Sequence, residues 1–155
     1  MNQSASRTIA RIVLVTAWII ALVWITSATV GLSARQGFLV MAALPLPLIP
    51  ILGLHFLRDR EARAGWAVFT LWLGSTYAGL GTGPELAVFA AIAVLAALGF
   101  FWKAWCFPLA WFGHIAWDFM PRELPALLID LPTACMIFDG IIGIYLIQMA
   151  RQRWP

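Results

Sequence analysis

Ionisable side chains are scarce in this chain, and those of most chemical interest fall in two neighbouring apolar stretches. The first reads Trp111-Phe112-Gly113-His114-Ile115-Ala116-Trp117-Asp118; the second reads Pro132-Thr133-Ala134-Cys135-Met136-Ile137-Phe138-Asp139-Gly140. His114 and Asp118 are four apart, which on a helix places them on one face and within reach of each other. Cys135 and Asp139 repeat that spacing, and Gly143 continues it. An imidazole beside carboxylates can titrate near neutral pH, so His114, Asp118 and Asp139 form a candidate catalytic set for general-base or proton-relay chemistry. With Cys135 the same residues offer imidazole, carboxylate and thiolate, the ligands that Fe, Mn or Zn would take. A structural role is also open. A charge-assisted hydrogen bond between His114 and Asp139, of a kind that contributes about 1.5–3 kcal/mol, would clasp the two helices together.

The elements that carry these residues follow from composition. Hydrophobic residues make up 63% of the 155 and charged ones 11%, against about 25% charged in soluble domains. Apolar runs occupy residues 12–32, 38–57, 65–80, 86–102, 105–120 and 132–150, near the length of about 17–25 residues that a spanning helix needs. The run at 12–32 exceeds the 7–15 apolar residues of a signal peptide and reads as a span. The expected fold is therefore all-α: a single polytopic bundle of about six transmembrane helices over residues 1–155, with short loops and antiparallel neighbours. A nucleic-acid binder is excluded, because the net charge is only +3 and the basic residues sit at segment ends. Two cysteines exclude a disulfide scaffold.

Charge placement sets the orientation. With six spans and an inside N-terminus, Arg7, Arg11, Arg58, Arg60, Arg63, Lys103, Arg151 and Arg153 are cytoplasmic, and only Arg35 and Arg122 are outside. That asymmetry places both termini in the cytoplasm and the 121–131 loop outside. The fifth run is short and contains His114 and Asp118. Phe107, Ala110, Trp111 and Trp117 share or flank the polar face, while Leu109, Phe112 and Ala116 lie opposite, toward lipid. On the sixth, the stripe Cys135, Asp139, Gly143 is backed by Ile137, Ile141 and Ile144, which points the small and polar stripe inward. A mid-membrane Asp costs about 2.5–3.5 kcal/mol on insertion, so Asp139 has to be accounted for. The two helices form a hairpin, and the cluster converges in the outer half of the bundle. The partners expected are the bilayer and a small lipophilic ligand.

Other signals are weaker. His55, beside the charged stretch 58–63, reads as a headgroup-level histidine. It lies too far from His114 for a bis-histidine haem. Cys106 and Cys135 begin antiparallel helices and are too far apart to bridge. Pro45, Pro47 and Pro50 kink or break the second run. Trp24, Trp66, Trp102, Trp105, Trp117 and Trp154 fall near segment ends, as an aromatic belt would place them, and Ser75, Thr76 and Tyr77 offer interhelical bonding.

The H-x-x-W-D sequence at 114–118 and the C-x-x-x-D sequence at 135–139 resemble the hallmarks of a family of small bacterial multi-pass integral membrane proteins of unassigned function. The resemblance covers about 30 of the 155 residues. It implies a protein of the bacterial inner membrane with a polar cluster of His114, Asp118, Cys135 and Asp139, and it supplies no reaction. That family often carries a second histidine soon after the first Asp, where this chain has Phe119-Met120-Pro121-Arg122.

Overall fold

Three prolines within six residues shape the first fully described part of the chain. In the computed structural model, the description covers residues 37–154 apart from 79–82 and 122, without the side chains of 76–78 and 127. Before residue 37 it covers only 13, 16–18, 20, 23, 24 and 27. Helix α1 spans Phe38–Ala42 and α2 spans Leu48–His55. The run expected at 38–57 is therefore divided. Pro45 and Pro47 bring no amide donors to the carbonyls of Met41 and Ala43, and the chain passes between the helices in turns closed by bonds such as Leu46 N to Ala42 O at 3.0 Å and Leu48 N to Pro45 O at 3.1 Å. Pro50 sits in the first turn of α2, where a missing N–H breaks no helical bond.

The next helices are longer. Helix α3 spans Asp59–Ala78, beginning inside the charged stretch that reads in sequence as a connection. Asp59 and Glu61 in its first turn complement the positive helix end, which explains the early start. Helix α4 spans Gly83–Phe101, with Pro84 at its second position, where proline is favoured. Helix α5 spans Cys106–Asp118, a short 3-10 turn covers Ala126–Leu128, and α6 spans Leu131–Gln152.

All regular structure among the described residues is helical. Among the described residues, two helices, α4 and α6, are long and apolar enough to cross a membrane. Helix α3 has 20 residues but opens with four charges. Helix α5, with 13 residues, is about 20 Å long, short of the roughly 30 Å hydrocarbon core. The run at 12–32 lies largely outside the described residues; those of it that are described are helical.

The bundle is fastened at both ends by polar contacts. Gly37, at φ 78°, is in the left-handed region that glycine tolerates, and its N–H donates to Asp130 Oδ2 at 2.7 Å, joining the start of α1 to the start of α6. At the other end Arg153 donates to Asp59 Oδ1 at 2.6 Å and to the carbonyls of His55 and Leu57. Arg63 donates from Nε and Nη2 to Gly99 O, at 3.0 and 2.6 Å, and so caps the last turn of α4.

Between these ends the core is aromatic. Trp66, Phe69, Phe107, Trp111, Ile142 and Leu146 are fully buried. Trp66 and Trp111 meet edge to face at 6.0 Å, and Phe69 lies 5.5 Å from Trp111. This corrects the belt expectation for half of its members. Trp24, Trp102 and Trp105 are exposed, but Trp66, Trp117 and Trp154 are buried in the interior, because their rings pack against core aromatics rather than turning outward.

Close approach of α5 and α6 depends on glycine. A Cβ at Gly143 would stand 3.0 Å from Phe112 Cζ, and one at Gly140 would stand 3.9 Å from Ile115 Cδ1. Ile144, by contrast, is 66% exposed. Gly143→Leu should therefore destabilise the protein by about 1–3 kcal/mol through overpacking, and Ile144→Leu by less than about 0.5 kcal/mol. Thermal and denaturant unfolding in detergent would measure both, and equal losses would show that this face is misassigned.

Candidate functional site

The same two contacts set the register of α5 against α6. Phe112 meets Gly143 and Ile115 meets Gly140, so the positions pair antiparallel and Asp139 comes level with Ala116. Asp139 then lies midway in depth between His114 and Asp118, two residues or about 3 Å along the axis from each. A shared depth is the part of the expected convergence that this register gives. All three residues are buried: His114 is 1% exposed, Asp118 7% and Asp139 0%. The outward face of α5 is also as the pattern indicates, with Leu109, Phe112 and Ala116 exposed.

Depth is shared, but direct bonding is not. Among the described residues, neither carboxyl oxygen of Asp139 has a hydrogen-bond partner, and neither does Nε2 of His114. The direct His114–Asp139 hydrogen bond of the clasp reading is not formed. His114 instead turns toward α3, where the ring contacts the backbone of Thr70 and lies so close to Gly74 that a Cβ there would be 3.2 Å from His114 Cε1. Trp111 stacks against the ring at 5.9 Å and Trp117 flanks it at 5.9 Å. Asp139 faces a different neighbour. Asp118 is close enough for the two carboxyl groups to interact by charge.

Cys135 is only half-buried. Among the described residues no three of the histidines, cysteines, aspartates and glutamates are grouped closely enough to hold a metal ion. His114, Asp118, Asp139 and Cys135 thus do not assemble as a ligand set. The imidazole instead contacts the Thr70 backbone on α3 and is packed by Trp111 and Trp117.

Two features of the surroundings are not apparent from the ionisable residues alone. One is the wall behind His114, made by Thr70 and Gly74 on α3. Both are buried, and the Thr70 hydroxyl is spent on Trp66 O at 2.8 Å. Their four-residue spacing is the signal that could have found them, because it repeats the small and polar stripe of α6. The other is His55, whose Nδ1 lies 3.0 Å from Tyr145 Oη, a bond between α2 and α6 that the sequence pattern does not indicate. Tyr77 and Thr76 lie outside the described side chains.

A sealed carboxyl group without a bond costs stability, since burial removes its hydration and nothing replaces it. Leu has the branching of Asp and no polar atoms. Asp139→Leu should therefore raise stability, by about 1–3 kcal/mol, whereas a working clasp would make the same change a loss. Unfolding midpoints of the two proteins in one detergent decide between them.

No family model, curated protein or solved structure matches this chain.

Proposed function

We propose that this chain is a multi-pass integral membrane protein whose interior binds, and with His114 transforms, a small lipophilic molecule that brings a hydrogen-bond donor to Asp139. The observation that carries the reading is the pair of unpartnered oxygens on a fully buried Asp139. An ionisable group inside a spanning bundle marks a functional site by default, and one without an internal partner is complementary to a ligand. The second acid, Asp118, adds negative charge nearby, which favours a donor or a cation over an acceptor. Trp111, Trp117 and Phe138, all buried, supply apolar surface for the rest of such a molecule. The free nitrogen of His114 is the group able to take or give a proton.

Support for the membrane reading comes from what the surface exposes. Met41, Phe56, Val94, Phe101, Phe119 and Ile144 are all more than half exposed, and only 22% of the apolar window of α4 is buried within the protein. Large outward apolar area of this extent requires a covering, and hydrocarbon provides one. The six-span arrangement, with cytoplasmic termini in a bacterial inner membrane, adds the 12–32 run and counts α5, flanked by exposed Trp105 and Phe119, as the fifth crossing. The resemblance at 114–118 and 135–139 agrees with it. A second reading, a scaffold or small transporter with a closed interior, draws support from the tight seating of His114 on Gly74.

Reporter fusions after Lys103, after Glu123 and after Arg153 should read inside, outside, inside; two neighbouring positions on the same side would overturn the topology. For the site, native mass spectrometry of protein extracted from its own membranes should find a small molecule retained by the unmodified chain. Asp139→Leu should keep the fold and lose most of that molecule, about tenfold or more if a charge-assisted bond is removed. Equal retention, or a native protein that carries nothing, would favour the scaffold.

A further inference from the structure

At the opposite end of the bundle, the start of α3, the end of α4 and the residues after α6 enclose an open cleft of about 490 Å³. Its polar lining is three arginines, Arg60, Arg63 and Arg153, against a single acid, Asp59. Asp59 is already engaged by Arg153. Arg63 and Arg153 are held in place by the helix-end carbonyls they cap, so their remaining N–H groups are fixed in position at no further ordering cost. Arg60 is exposed and makes no hydrogen bond or ion pair among the described residues. Phe101 forms one rim of the cleft; it is the last residue of a helix apolar enough to span a membrane and is 81% exposed, with Trp102 beside it 67% exposed. Cationic donors thus meet outward-facing aromatics at the level where a spanning helix stops.

We infer that this cleft binds the phosphate group of an anionic phospholipid, with the guanidinium groups on the phosphate and Phe101 and Trp102 against the upper acyl chains. A guanidinium fork matches phosphate oxygens geometrically, and aromatic side chains favour the headgroup boundary. The cleft also lies at the end of the chain's fold where the basic residues concentrate, the end that would face a cytoplasmic leaflet rich in anionic lipid. The inference rests on the membrane reading above, but a different measurement scores it.

The test uses the full chain in a neutral detergent, titrated with dioctanoyl-phosphatidylglycerol, dioctanoyl-phosphatidylcholine or inorganic phosphate and read by native mass spectrometry. The glycerol lipid should bind in a saturable 1:1 adduct, at least about tenfold more tightly than the choline lipid. Arg60→Gln should weaken it about fivefold, the effect expected of one arginine near an anionic surface. Arg58→Gln, an exposed arginine next to the cleft but not lining it, should leave it unchanged. Equal binding of the two lipids, or equal losses in the two variants, would overturn the site. Inorganic phosphate displacing the glycerol lipid at equal concentration would assign the cleft to a soluble phosphate instead. Failure of the membrane reading would show separately, as protein released from membranes by carbonate washing.

Discussion

An unsolvated carboxyl group is the constraint around which this bundle is arranged. Asp139 is fully buried with both oxygens unbonded, and a polar group in that state opposes folding. The fold that carries it is held by aromatic packing elsewhere in the core, where the rings of Trp66, Phe69 and Trp111 interlock at 5.5 to 6.0 Å. Trp111 of that cluster also stacks against His114. Burial of this carboxyl group therefore works against stability, the cost that a functional centre at this place would carry.

The two glycines of α6 connect that constraint to architecture. A side chain at Gly143 would press on Phe112 and hold the helices further apart, whereas a Cβ at Gly140 would make ordinary contact with Ile115. Small residues let helices approach where lipid gives no hydrophobic gain for association. Gly143 therefore sets how closely the helix that carries Asp139 approaches α5.

Much of this was legible in the sequence, for a definite reason. Four-residue spacing has a single geometric meaning on a helix, so the faces of α5 and α6, the inward Gly143, the outward Ile144 and the common depth of the three ionisable residues followed from periodicity. Depth along a hairpin is also arithmetic. What did not follow was rotation of a side chain about its own bonds. His114 had acids on α5 and α6 to face, yet it faces Thr70 and Gly74, which depends on how α3 seats against α5. The tryptophans failed for a related reason: Trp66 and Trp117 lie near segment ends, and position along a helix says nothing of which way an indole points. Helix boundaries shifted where local chemistry outweighed hydropathy, at the acidic first turn of α3 and at Pro45 and Pro47.

Arg153 has a consequence for how the molecule is made. Its partners lie 94 to 98 residues earlier in the chain, at the junction of α2 and α3. Until Arg153 has been synthesised, that junction lacks its clamp and the carbonyls of His55 and Leu57 lack their donor. Those three bonds thus form only after the other described helices have been made. Ribosome-bound chains ending before residue 153 lack this clamp, whatever else in the bundle has already packed.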